Sequence, residues 1–231
     1  MLSRKRPRVS SATGTWKPRK KARVINRAVG SSGLRTGGWR GVPGRRGELK
    51  YVDVAITGQQ ATPGGILTLL NGIAPGTGAS QRIGKKILMK SILFRAAVGG
   101  NSGTFTIPFQ GSVRFLIIQD KQTNATAPTV AQILEIATGT SPMNMDNRER
   151  FTVLANKSIP IDQSGGHQSG KVSVYKRLNL PTFFNAGTAG TVADITSGSV
   201  YLLLIAEQSL VAPPTLDPIT TWYSRIRYDD A

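Results

Sequence analysis

From Glu48 onward the chain is written in short stretches that alternate apolar and polar side chains, each closed off by glycine, proline, asparagine or serine. A period of two places every second side chain on one face, the pattern of a strand buried on one side only. Residues 49–57 set Val52, Val54 and Ile56 against Tyr51, Asp53 and Ala55. Residues 171–180 set Val172, Val174, Leu178 and Leu180 against Ser173, Tyr175, Arg177 and Asn179, with Lys176 interrupting the apolar face. Residues 221–228 set Trp222, Ile226 and Tyr228 against Arg225 and Arg227. Segments 66–70, 86–98, 112–119, 151–158 and 199–207 complete a set of eight strands. Of these, 112–119 and 199–207 are the most continuously apolar and are expected at the centre of a sheet.

Eight strands in about 180 residues fit an all-β, antiparallel two-sheet sandwich with Greek-key connections. One short helix is predicted over 130–137, behind Pro128 and Thr129, with Ile133, Leu134 and Ala137 on one stripe. It falls in a connection between strands. Segments 99–111, 139–150, 163–170 and 181–198 read as long loops, which in a compact domain usually carry function. A single folded domain is therefore expected over 48–231.

The chain carries a net charge of +18, from 30 basic and 12 acidic residues, and the charge is unevenly placed. Residues 1–50 hold 15 basic side chains and one carboxylate, Glu48, whereas the other 181 hold 15 against 11. The basic residues are Arg4, Lys5, Arg6, Arg8, Lys17, Arg19, Lys20, Lys21, Arg23, Arg27, Arg35, Arg40, Arg45, Arg46 and Lys50. Segment 1–47 is rich in glycine, serine and proline and poor in large aliphatic residues. It cannot bury enough apolar surface to offset its ordering entropy, so it reads as an arm that stays disordered until it meets a polyanion. The near-neutral remainder is expected to present no basic face.

Two clusters stand out in the arm, Arg4-Lys5-Arg6-Pro7-Arg8 and Lys17-Pro18-Arg19-Lys20-Lys21-Ala22-Arg23. Such runs serve as nuclear-import signals or as phosphate-binding patches, and the two uses are compatible. Trp16 and Trp39 sit beside cations, placed either to stack on unpaired bases or to dock the arm on the domain. A mitochondrial transit peptide would share the composition, but the glycines and prolines oppose the amphipathic helix it requires.

Several chemistries are excluded or weak. With no cysteine there is neither a disulfide nor a thiolate metal site. The longest apolar run, near 200–206, is too short to span a bilayer, and no secretory leader is read. The sequons at Asn124 and Asn156 are accordingly expected to go unused. The stretch from Gly78 to Lys86 resembles a phosphate-binding loop but has five residues between its glycines instead of four, and Lys86 where serine or threonine is needed. His167, the only histidine, lies in a glycine-rich loop without a nucleophile elbow. Asp146, Glu149 and Asp162 lack calcium-loop spacing and read as solvated acids, so no metal or cofactor is expected.

The middle of the chain carries a family resemblance. Gln81-Arg82-Ile83-Gly84-Lys85-Lys86-Ile87, followed by Lys90-Ser91-Ile92, resembles an early strand of single jelly-roll capsid proteins. Val113-Arg114-Phe115-Leu116-Ile117-Ile118-Gln119-Asp120-Lys121-Gln122-Thr123-Asn124, then Ala127-Pro128-Thr129, is similar to their strand, Asp-Lys-Gln-Thr-Asn-Gly and proline signature. Ala125 stands where that pattern has glycine. The blocks Ser141-Pro142-Met143-Asn144 and Asn147-Arg148-Glu149-Arg150-Phe151-Thr152-Val153-Leu154 continue the match. Together they resemble the coat proteins of small circular single-stranded DNA viruses with a replication initiator (CRESS-DNA viruses), whose jelly roll is similar to those of satellite necrosis-type and tombus-like RNA virus coats.

The resemblance implies an eight-stranded jelly roll and a T=1 icosahedral shell of 60 copies. Inward arms would package the single-stranded genome, with nuclear import receptors as partners, no membrane insertion, and the virion and host nucleus as locations. Two rivals remain: a ribosomal-type nucleic-acid-binding protein that never forms shells, and an enzyme with a targeting tail.

Overall fold

The computed structural model describes residues 49–100, 109–162, 164–207 and 217–230. The arm, with its basic residues from Arg4 to Arg46 and both Trp16 and Trp39, lies outside the described residues, as does most of the loop expected at 99–111.

The strands are β1 (Lys50–Gln60), β2 (Ile66–Leu69), β3 (Lys86–Gly99), β4 (Gln110–Asp120), β5 (Phe151–Asp162), β6 (Ser169–Phe184), β7 (Ile195–Ser197), β8 (Ser199–Ala206) and β9 (Ile219–Asp230). They form two antiparallel sheets, ordered β1-β9-β3-β6-β7 and β2-β8-β4-β5. The pairing is nested: β1 with β9, β2 with β8, β3 with β6, and β4 with β5. That is a long hairpin wound on itself into two Greek keys, the topology of an eight-stranded jelly roll. The ninth strand, β7, is an addition at one edge inside the segment read as the loop 181–198. Three residues are too few to show a period. The start of that expected loop also belongs to β6, which runs on to Phe184.

The inner faces of the sheets meet in the main core. Met89, Ile92, Phe94, Trp222, Ile226 and Tyr228 come from the first sheet, and Val113, Phe115, Ile117, Val200, Leu202 and Leu204 from the second. Phe94 lies at the centre, its ring 5.6 Å from Phe115 and 6.1 Å from Trp222 between centroids. Trp222 satisfies its indole N–H by donating to Gln59 Oε1 at 2.7 Å. The faces expected for 49–57, 171–180 and 221–228 hold: Val54, Ile56, Val172, Val174, Leu178 and Leu180 all pack on this core. Lys176, the interruption, turns its ammonium to the Leu154 carbonyl at 3.0 Å.

A second, smaller core covers the outer face of the second sheet. Leu116, Ile118, Tyr201, Leu203 and Ile205 point away from the main core and pack under Ile133, Leu134 and Phe151. Strands β4 and β8 are thus buried on both faces and central, which explains their unbroken apolar runs.

The covering segment contains the one α-helix among the described residues, α1 (Val130–Ile133), shorter than the 130–137 expected. Its start is as read: Thr129 Oγ1 accepts the Gln132 N–H, and Gln132 Oε1 accepts the Thr129 N–H, a reciprocal cap. It ends early because Leu134 is extended and bridges Met143, which buries Ile133 and Leu134 side by side. Ala137 is left exposed. The segment is pinned by Arg114 on β4, which donates to Asn156 Oδ1 at 2.9 Å and to the carbonyls of Gly139 and Ser141. Burial lowers the Arg114 pKa, and carbonyl dipoles rather than a carboxylate satisfy it.

The stretch read as a defective phosphate loop is structural. Arg82 is buried and donates to the carbonyls of Ile73, Gly84 and Gly187 at 3.1, 2.9 and 2.8 Å, with its guanidinium 4.3 Å from the Phe184 ring centroid. The turn after β4 is built as tightly. Asn124 and Ala125 both have positive φ, 48° and 60°, and donate to the carbonyls of Thr196 and Ile195. At Ala125 the left-handed conformation strains a residue that bears a Cβ. Ala125→Gly is therefore expected to stabilise the domain by about 1 kcal/mol, read as a higher urea midpoint. A lower midpoint would contradict the strain.

Candidate nucleic-acid interface

One outer sheet face is covered by the α1 segment, whereas the outward side chains of β1, β9, β3 and β6 stand on the other. Register sets them in rows. Tyr51 faces Arg227, which faces Ser91, which faces Arg177; Asp53, Arg225, Leu93 and Tyr175 form the next row. Ala55, Tyr223, Arg95 and Ser173 follow, and then Thr221, Ala97 and Lys171. Cross-strand neighbours in such rows are within side-chain contact.

The face is cationic and aromatic. Seven basic residues, Lys86, Lys90, Arg95, Lys171, Arg177, Arg225 and Arg227, stand against two carboxylates, Asp53 and Asp229. Arg225 is held by both Asp53 oxygens, at 2.7 and 2.6 Å, with its guanidinium 4.8 Å from the Tyr51 centroid and 5.6 Å from that of Tyr223. The bond to Arg225 lowers the Asp53 pKa, so the pair stays charged at neutral pH. Lys90 pairs with Asp229 at 3.0 Å. Arg95, Lys171, Arg177 and Arg227 have no carboxylate within ion-pair distance among the described residues. Tyr175 is 64% exposed in the midst of them. The expectation that the domain offers no basic face is thus overturned, because net charge averages over a molecule whose acids lie mostly elsewhere.

Towards the Gly99 end of β3 the face hollows into an open groove of about 550 Å³, floored by Ala55, Ala97, Ser173 and Thr221 and walled by Tyr223, Arg95 and Lys171. The groove exists because small residues occupy neighbouring positions on four strands. The periodicity of 49–57, 171–180 and 221–228 had put Tyr51, Asp53, Ala55, Ser173, Tyr175, Arg177, Arg225 and Arg227 on outward faces. None of the residues of this face was expected as a site residue, since only the strand order brings β3 and β6 alongside β9. The other motifs gather no catalytic group. Among the described residues no three of His, Cys, Asp and Glu come together to hold a metal, and the His167 carbonyl accepts the Asp162 N–H in a turn.

The family model for the satellite tobacco necrosis virus coat protein matches residues 46–219, most of the chain. The chain belongs to this coat protein family. This coat protein is 28% identical over 152 residues to the capsid protein of satellite tobacco necrosis virus 1, covering 64% of the chain and 71% of the relative. It is 26% identical over 166 residues to the coat protein of satellite tobacco necrosis virus 2, covering 70% and 79%. Among solved structures it is similar to Desmodium yellow mottle tymovirus, with 11% identity, a TM-score of 0.37, and coverage of 81% of the chain and 90% of that one. The coat protein is structural rather than enzymatic, a component of the virion that assembles with copies of itself. The narrower attribution to circular DNA viruses is not supported: the matching family and both relatives are satellite virus coats.

Proposed function

We propose that the protein builds a T=1 icosahedral shell of 60 copies and packages a single-stranded genome through the arm 1–47, with 48–231 as the shell domain. The observation that carries the reading is the segregation of charge, +14 in the first 50 residues against +4 in the other 181, on a chain that folds as a jelly roll. Arg4, Lys5, Arg6, Arg8, Lys17, Arg19, Lys20, Lys21, Arg23, Arg27, Arg35, Arg40, Arg45 and Arg46 neutralise phosphates, and Trp16 and Trp39 stack on bases. Sixty arms bring about 840 positive charges, enough for a similar number of phosphates. The clusters at 4–8 and 17–23 support import into the host nucleus before assembly. The face of Arg95, Lys171, Arg177 and Arg227 supports an inward orientation of the first sheet.

The test is the nucleic acid inside particles from infected cells, together with a fluorescent fusion of residues 1–47. A single strand inside the particles and a nuclear fusion are expected. Particles without single-stranded contents would overturn the packaging, and a cytoplasmic fusion would remove the nuclear step.

A further inference from the structure

We infer that the groove over Ala97 is a binding site for unpaired nucleotides of single-stranded nucleic acid, a contact made by the shell domain itself and distinct from the arm. The inference rests on the packaging reading above. The groove joins two features that a nucleotide needs together. Its lining includes the small side chains of Ala55, Ala97 and Thr221, which leave room for a planar ring beside Tyr223. Its rim carries Arg95 and Lys171, which lack carboxylate partners among the described residues, on the side where the phosphate of the same nucleotide would run.

Its volume of about 550 Å³ falls within the range of small-molecule sites, ~300–1,000 Å³, so it holds one base with its sugar rather than a helix. A base inside a duplex cannot enter, because its faces are already stacked and its edge is paired. Burial and the adjacent Asp53 raise the Tyr223 pKa, so its ring meets the base as a neutral phenol. The protein's own arm is cationic, so Arg95, Arg177, Arg227 and Lys171 disfavour it as the occupant. Each copy in a shell then fixes one nucleotide at a defined place, while the arms hold the rest by charge.

The experiment is photocrosslinking of an iodouracil-containing single-stranded oligonucleotide to the full chain, with crosslinked peptides identified by mass spectrometry. The expected map has two parts: adducts at Trp16 or Trp39 in the arm, and an adduct at Tyr223. The Tyr223 adduct should persist against duplex competitor and fall at least about fivefold in Ala97→Phe, which fills the floor, while total binding changes less than about twofold because the arm dominates it. Adducts confined to the arm would overturn the groove and leave arm-based packaging standing. A Tyr223 adduct unchanged by Ala97→Phe would also overturn it. No binding at all would sink the packaging reading with it. The wild-type map is decisive on its own should the filled variant fail to fold.

Discussion

Asp120→Ala is expected to lower the stability of the shell domain by about 3–5 kcal/mol, on the order of 10 °C in melting temperature. Asp120 is fully buried, and Arg150 reaches it with two donors at 2.9 and 2.8 Å. The Asp120 Oδ1 also accepts the Gln122 N–H at 2.9 Å, so one side chain shapes the turn and holds the segment entering β5. The bond to Asp120 raises the Arg150 pKa, and the guanidinium is only 20% exposed. Removing the carboxylate leaves a mostly buried cation without its partner, a larger loss than the pair's net contribution. The exposed Asp53 and Arg225 pair serves as the control, since Asp53→Ala should move the unfolding midpoint little. Urea unfolding of disassembled protein followed by circular dichroism compares the two. Equal midpoints for Asp120→Ala and wild type would show that the buried pair holds nothing together.

Deleting residues 1–47 is expected to leave a domain that folds and assembles but encloses at least about tenfold less nucleic acid. Each phosphate neutralised on a single strand contributes about −0.7 to the slope of log affinity against log salt. The arm's fourteen cations therefore account for a slope near −10, and Arg95, Lys171, Arg177 and Arg227 of the sheet face for about −3. Titrating a labelled single strand at several salt concentrations separates the two. A slope unchanged by the deletion would place the main nucleic-acid contact on the domain, and a residual slope of zero would leave the sheet face without a role.

Much of the fold was legible because strand periodicity is local. Val52, Val174 and Trp222 announce an inward face, and Asp53, Tyr175 and Arg225 an outward one, from two neighbours each. The doubly buried strands were legible as unbroken apolar runs, although what covers them was not. The cover depends on Leu134 leaving the helix to bridge Met143, a tertiary contact that overrides a helical stripe. The candidate site was legible only in pieces. Arg95 and Arg177 are ordinary outward cations on separate strands until the order β1-β9-β3-β6 lays their faces side by side. Asp120 and Arg150 were visible as parts of two motifs, but their bond spans thirty residues and has no period. Family likeness found the shell-forming class through those same motifs and overreached on the kind of virus. Arg82 and Asp120, which lie in the stretches that carried the likeness, hold the fold and say nothing about the genome.

Negative-stain electron microscopy of the full-length chain, expressed alone and treated with nuclease, tests the central claim most directly. Uniform particles of a single small diameter, filled or hollow, are expected. Monomers or irregular aggregates alone, across a range of salt, would contradict it.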